Sequence, residues 1–499
     1  MNANTPGGVR IAPHKQLAAL SPAIIAPVPE RLIISLQQAS GSESIPAVSA
    51  GDQVLTGQII ATPAEDDYGS YIHASSSGTV VAIEESTADE TAGCIHIQTD
   101  GSDTLHPDCR PVVNIQNLAG NKLTRIIAEA GIVGLGGALF PTAEKLRSKQ
   151  DIHTLIINGA ECEPYINCDN QVLQQYPERV IQGAEIMARA VDAPNIIIAC
   201  KSEMIDARRA LNDALQNRPE HSDTTKDIRI VAVADHYPIG GEKQLISFIT
   251  GKEVPAEGLP VELGIICQNA GTAKAVHDRF LLGKPLISRL VTLTGDSLTQ
   301  SINAEVRIGT GIRDLINGTV GLLNSPDKII MGGPMMGVPL NADTQPVTKA
   351  CNCIIVTREL QASTPELPCI RCGDCLPVCP AGLSPLLLLE QSKRGDENGL
   401  ETSGVLECIE CGCCDYVCPS AIPLTTTFRT AKSHVKEQRL LHSRAERSQD
   451  RFKAHASRVE ERQKQEQQQL DAQTGEFDAK DGKKALDDLM KRLGNKGGE

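Results

Sequence analysis

Thr154-Leu-Ile-Ile-Asn158-Gly-Ala-Glu-Cys-Glu-Pro164 is a short β-rich run that passes straight into a polar, glycine-bearing loop. The pattern returns twice. Ile228–Ala234 runs into Asp235-His-Tyr-Pro-Ile-Gly-Gly-Glu-Lys243, and Gly264–Cys267 runs into Gln268-Asn-Ala-Gly-Thr272. Another β-rich run, Ile196–Ala199, lies between them, and helical stretches such as Leu123–Ala130 and Ala143–Ser148 share the region. Such alternation predicts a parallel sheet with crossover helices over residues 115–280. Ligands of open α/β sheets bind beyond the carboxyl ends of the strands, so the three loops are expected to line one crevice.

Outward from that region the texture changes, and the whole reads as a multidomain α/β chain. Residues 1–110 read as β with turns. Gly51-Asp52-x-Val54-x-x-Gly57-Gln58-x-Ile60 and Ser77-Gly78-Thr79-Val80-Val81-Ala82-Ile83 look like the halves of a lipoyl-type barrel-sandwich. No lysine occurs from Gln58 to Ser77, so a carrier arm is not expected and the module reads as structural. Residues 285–345 resemble a β-grasp module of the soluble-ligand-binding kind, equally readable as a spacer. Residues 360–425 hold two cysteine runs, and residues 430–499 form a Lys/Glu/Gln/Arg-rich tail, either a solvated helix or disordered.

The 499 residues are too many for one ordinary core. A net charge of −14 supplies no basic stripe and argues against nucleic acid. No uninterrupted apolar stretch reaches the length of a membrane span. The apolar start is broken by Pro22, Pro27 and Pro29 with no cleavage pattern after it. A soluble or peripheral protein of the cytoplasm is expected, attached to a membrane only through partners.

Cys369-x-x-Cys372-x-x-Cys375-x-x-x-Cys379-Pro380 recurs as Cys408-x-x-Cys411-x-x-Cys414-x-x-x-Cys418-Pro419. This run is recognised as the bacterial [4Fe–4S] motif, in which the fourth cysteine ligates the other cluster. Three thiolates at two-residue spacing wrap three corners of one cubane, and the fourth lies beyond a turn. Crossed ligation follows as an expectation: Cys369, Cys372, Cys375 and Cys418 on one cluster, and Cys379, Cys408, Cys411 and Cys414 on the other. Zinc is the competing reading, but its sites pair cysteines across a longer loop. Cys413 falls off the spacing and reads as a bystander. Cys162, Cys168, Cys200, Cys267, Cys351 and Cys353 read as buried small hydrophobes.

Gly134-Leu-Gly136-Gly137-Ala-Leu-Phe140-Pro141-Thr142-Ala-Glu-Lys145 has the mechanics of an anion site. Glycines admit a phosphate to the backbone, a helix follows Pro141, and Lys145 adds a positive charge. The other reading is a tight turn that packs a helix on a sheet.

The same stretch resembles the flavin loop of the NADH-oxidising flavoprotein subunit of respiratory complex I. Asn158–Pro164, Tyr237–Glu242 and Gln268–Thr272 resemble that flavoprotein's next loops, in order. With the barrel-sandwich, β-grasp and two-cluster segments, the chain resembles the RnfC (RsxC) family of the Rnf (Rsx) ion-translocating electron-transport complexes over roughly residues 8–425. The resemblance implies FMN held by Gly134, Gly136, Lys145, Asn158, Glu161, Gly240, Asn269 and Thr272. It likewise implies NADH at Gly137, Phe140, Glu163, Tyr237 and Glu242, with the acidic crevice favouring NADH over NADPH. Leu135, Leu139, Ala160, Gly241 and Gln268 depart from the flavoprotein pattern, where arginine, glycine, aspartate, glutamate and asparagine stand. The implied function is electron input from NADH, or the reverse, in a complex at the cytoplasmic face of the bacterial inner membrane. Its implied partners are membrane-embedded and peripheral subunits, including a ferredoxin-like one. The alternatives are an iron–sulfur relay with a vestigial flavin site and a soluble flavin dehydrogenase.

Overall fold

In a computed structural model of the chain, Thr154–Gly159 pairs on one side with Asn195–Lys201 and on the other with Ile265–Asn269, and Asp227–Val233 completes the sheet beyond Asn195–Lys201. All three pairings are parallel. The structure describes residues 7–15, 18, 22–64, 68–86, 92–148, 150–218, 226–340, 342–358 and 365–494. The three inner strands are apolar on both faces because both faces are covered, whereas the edge strand Asp227–Val233 alternates and is mostly exposed or half-buried. Leu155, Ile157, Ile196 and Ile198 join a core with the helices Gly120–Glu129, Pro177–Ala190 and Ala270–Leu282. The alternate residues Ile156, Ile197 and Ala199 pack with Leu245 and Ile246 of the helix Glu242–Thr250. The first three strands progress to one side and the fourth returns to the other side of the first. The order therefore reverses between Thr154–Gly159 and Ile265–Asn269, and this switch point positions the site.

Two small antiparallel sheets near the N-terminus enclose a core of Leu32, Ile34, Val54, Ile60, Ile72, Val80, Ile95 and Ile97. A six-stranded sheet contains Ser288–Thr294, Ile302–Arg307, Lys328–Met331 and Cys353–Thr357, with the helix Ile312–Thr319 between Ile302–Arg307 and Lys328–Met331 in the chain. Cys353–Thr357 lies beside Ser288–Thr294 in parallel, so the sheet depends on residues beyond 345.

Lys349 ties these parts together. Its buried ammonium donates to Ser70 Oγ (2.9 Å), the Tyr71 carbonyl (3.0 Å) and the Gly131 carbonyl (2.7 Å). Among the described residues no carboxylate accompanies those acceptors, and burial pushes the lysine down to about 7.

The chain divides into two units, Met1–Phe428 and Arg429–Glu499. The second unit is helical through Gly494, as the last part of the helix Leu424–Gly494. Its surface carries i,i+4 ion pairs such as Glu460–Lys464 and Arg462–Glu466. Among the described residues, no helix is long and apolar enough to cross a membrane.

Candidate functional site

At the switch point the glycine loop folds back on itself. The Gly134 N–H donates to the Phe140 carbonyl (2.9 Å), and Val133 bridges Pro141. Thr272, in the first turn of the helix Ala270–Leu282, accepts the Leu135 N–H (2.9 Å) and donates to the Val133 carbonyl (3.3 Å). Asn269 caps the same helix by accepting the Gly271 N–H (2.8 Å), and a Cβ placed on Gly136 would first meet the Asn269 side chain. Gly137 has φ +109° and open space where a Cβ would stand, so a ligand can approach its backbone. Leu139, where the flavoprotein pattern has glycine, sits at φ +52°. The backbone thus keeps a glycine-like conformation under a leucine whose side chain packs on the core.

The other loops close on this one. Lys145 pairs with Glu242 (2.7 Å) and donates to the Cys267 carbonyl (3.2 Å). Asn158 donates to the Gly240 carbonyl (2.8 Å), and a Cβ on Gly240 would be 2.5 Å from the Ala160 carbonyl. The helix after Pro141 spans only Thr142–Leu146. So short a helix has a weak terminal field, which leaves the glycine backbone and Lys145 as the main features for an anion.

Glu161 accepts from the Asp169 N–H and from Cys168 Sγ, both at 3.2 Å, and Asp169 in turn accepts from Asn269 (2.6 Å). Burial and the nearby Glu161 charge raise the Asp169 carboxyl well above its usual range. Lys15, from far upstream, supplies the balancing charge 3.7 Å from Glu161 and donates to its carbonyl (2.6 Å). Neither Lys15 nor Asp169 stands out in the sequence: Lys15 has no motif around it, and Asp169 reads as an ordinary residue of a helix's first turn.

Phe140 leans on Tyr68 with ring centroids 5.5 Å apart. Tyr237 is expected from the sequence to offer a face to a nucleotide, but it is only 2 % exposed. Its hydroxyl donates to the Cys411 carbonyl (2.7 Å) and lies 3.5 Å from Glu163, which also accepts from the Met335 N–H (3.2 Å). Burial pushes the Glu163 carboxyl up to about 7. Glu163 and Tyr237 therefore face the cysteine region, because the loop after Val233 turns its aromatic ring inward against Cys411 and Cys413.

Two cavities gather the eight motif cysteines. The first is lined by Cys369, Cys372, Cys375 and Cys418 with Leu386, Leu389 and Ile422. The second is lined by Cys379, Cys408, Cys411 and Cys414 with Leu388, Ile409 and Phe428. Cys413 also lines the second and is fully buried. Mostly apolar walls, each with four motif cysteines among their lining, suit a thiolate-bound cubane, so the residues present fit two [4Fe–4S] clusters. The open glycine backbone beside Lys145 fits the phosphate of FMN. Of the other cysteines, Cys200, Cys267, Cys351 and Cys353 are buried as small hydrophobes, and burial pushes the thiols of Cys200 and Cys351 up to about 12. Cys168 is buried but donates to Glu161, and Cys162 is only half-buried, against the sequence expectation for both.

Comparison with known proteins matches three segments to family models. Residues 3–102 match an RnfC barrel sandwich hybrid domain, residues 127–278 a Nuo51 FMN-binding domain, and residues 368–422 a 4Fe-4S dicluster domain. Three relatives are each the C-subunit of an ion-translocating oxidoreductase complex. The chain is 41 % identical over 466 residues to the one from Pseudomonas aeruginosa, covering 91 % of this chain and 58 % of that relative. It is 40 % identical over 444 residues to the one from Rhodobacter capsulatus, covering 87 % of this chain and 83 % of that relative. With the Vibrio cholerae relative it shares 37 % identity, over 98 % of this chain and 63 % of the relative. A flavin domain at the switch point, two four-sulfur cavities beside it and this similarity along nearly the whole chain agree: the protein belongs to the RnfC family of ion-translocating oxidoreductase complexes, as an electron-transferring oxidoreductase subunit with FMN and [4Fe–4S] clusters.

Proposed function

We propose that the chain takes electrons from NADH, or returns them to NAD⁺, and passes them singly through its clusters to other subunits of an ion-translocating complex. The observation that carries this reading is the hydrogen bond from Tyr237 to the Cys411 carbonyl, which makes the flavin crevice and the second cysteine cavity neighbours. Bound FMN supplies the exchange between hydride, a two-electron unit, and the single electrons a cluster accepts.

The chain's own residues provide binding and insulation. Gly134, Gly136, Lys145, Asn158, Glu161, Gly240, Asn269 and Thr272 form the flavin cradle. In it Thr272 and Asn269 shape the glycine loop, and Lys145 sets the charge. Gly137, Phe140 and Glu242 border the open side, where NADH would enter. Glu163 and Tyr237 belong to the wall between crevice and cavity. Cys369, Cys372, Cys375 and Cys418 hold one cluster, and Cys379, Cys408, Cys411 and Cys414 the other, a crossing supported by the grouping of their side chains in two cavities.

The boundaries 1–110, 115–280, 285–345 and 360–425, with a tail from 430, describe the modules, the third extended to Thr357. Its order, with two parallel central strands and one crossover helix, supports a β-grasp reading. Attachment at the cytoplasmic face of an inner membrane would run through membrane-embedded partners and a ferredoxin-like subunit. Anaerobic titration with NADH tests the reading. Flavin absorbance should bleach first and reduced-cluster EPR signals should follow. Cluster signals obtainable only with dithionite would leave an iron–sulfur relay instead.

A further inference from the structure

The arm Gly7–Lys15 touches both redox sites within nine residues, a length that spans at most about 30 Å even when fully extended. At its far end the Gly8 N–H donates to the Val378 carbonyl (2.9 Å). Gly7 holds φ +70°, and a Cβ there would stand 2.5 Å from the Cys379 carbonyl group. Val9 and Tyr237 exchange two backbone hydrogen bonds, 2.8 and 3.0 Å, and a Cβ on Gly8 would be 2.5 Å from the Tyr237 carbonyl. Further along, the Pro13 carbonyl accepts the Tyr165 N–H (2.8 Å), and His14 stacks on the Tyr165 ring at 4.9 Å. Lys15 ends the arm, buried against Glu161 in the flavin crevice.

We propose that Gly7–Lys15 is a strap that sets the separation between the flavin crevice and the second cysteine cavity. It is threaded between Tyr237 and the Val378–Cys379 segment and anchored by Lys15 at Glu161. Two consecutive glycines are needed because both backbone positions are left-handed and a Cβ at either would press on a backbone carbonyl group. The strap acts on electron passage by fixing geometry, and its residues need touch neither flavin nor iron. This inference rests on the flavin-to-cluster reading above.

The test uses the full chain with both cofactors. Gly7→Ala introduces a Cβ at the Cys379 end and Gly8→Ala at the Tyr237 end. Mixed anaerobically with NADH, both variants should bleach flavin at the wild-type rate. Cluster reduction should then slow by roughly tenfold or more, since ångström-scale misplacement costs rate steeply. Their FMN and iron contents should match the wild type. An EPR-monitored dithionite titration, which needs no flavin, should show a shifted midpoint for the second cavity's cluster and an unshifted one for the first. Should Gly7→Ala lose iron, Gly8→Ala decides, because its added atom lies away from the cysteines. Wild-type cluster-reduction rates and midpoints in Gly8→Ala overturn the strap. A wild-type chain whose flavin ignores NADH defeats the flavin reading, and the midpoint titration then judges the strap by itself.

Discussion

The two cysteine runs have the same spacing, and the cavities they form differ in almost everything else. Around the first, Cys369 and Cys372 are exposed and the intervening Ile370 is 68 % exposed, with Leu367 and Leu376 also open to solvent. Around the second, Cys411 and Cys413 are buried, Phe428 seals one side, and Tyr237 reaches the Cys411 carbonyl from the flavin crevice. Lys243 and Glu407, paired at 2.9 Å, fasten the helix Glu242–Thr250 to the segment just before Cys408. Identical motifs thus acquire different neighbours, one abutting the flavin crevice and one open to solvent. Under the proposed function that difference would put the second cavity next to the flavin and the first next to a partner.

The largest expected effect breaks the pairing of sulfurs itself. Cys418→Ala should remove the cluster of the first cavity, about half of roughly eight irons, and leave the second cluster's EPR signal. If Cys418→Ala and Cys408→Ala erased the same signal, ligation would follow the linear runs and the comparison would need redrawing.

Next comes pH. Lys349 joins three modules, and its folded value near 7 lies below the ordinary 10.5. Between those limits the unfolded chain binds more protons, so stability should rise with pH across that window, with the full cost present below about pH 7. The change is on the order of a few kcal/mol, and Lys349→Met should flatten it. Denaturant melts from pH 7 to 9 that monitor flavin and cluster absorbance would measure it. If both cavities and the flavin are lost in one transition, the modules of the first unit are mechanically one. Separate transitions would show that the second cavity is not held by the flavin domain.

A third variant tests the outward face. Ile370→Asp should leave FMN, iron and NADH-driven cluster reduction unchanged while slowing electron delivery to membranes that contain the partner subunits, by roughly tenfold if the residue sits at an interface centre. Unaltered delivery would mean that electrons leave elsewhere. The smallest effect is expected from Lys243→Ala. A half-exposed ion pair is worth up to about 1 kcal/mol, so a modest fall in thermal midpoint should appear, with flavin-to-cluster transfer becoming more salt-sensitive.

Legibility followed the range of the interactions. Three strands of the central sheet were readable because burial on both faces leaves continuous apolar runs, the edge strand Asp227–Val233 because it is rich in β-branched residues, and the loops after them because glycine and polar residues cluster there. The cysteine runs were readable because cluster ligation needs fixed local spacing. Leu139 misleads in one respect: a leucine letter conceals a left-handed backbone held by the bonds between Gly134 and Phe140. Tyr237 misleads more, since an aromatic in a crevice loop reads as a ligand face until the chain's remote parts are assembled around it.

By itself, then, the sequence determined the module order, the crevice at the carboxyl ends of the strands and the eight sulfurs, all of which depend on short-range spacing, periodicity and turn chemistry. Only the tertiary structure decided that Lys15 balances Glu161, that Tyr237 abuts Cys411, that Lys349 ties three modules together, and which cysteine cavity lies open. Each of those contacts joins residues more than 140 positions apart, apart from the open cavity, which is a matter of what fails to cover it. Partners so distant leave no pattern in the chain between them, because their pairing is enforced by packing and desolvation of the assembled core.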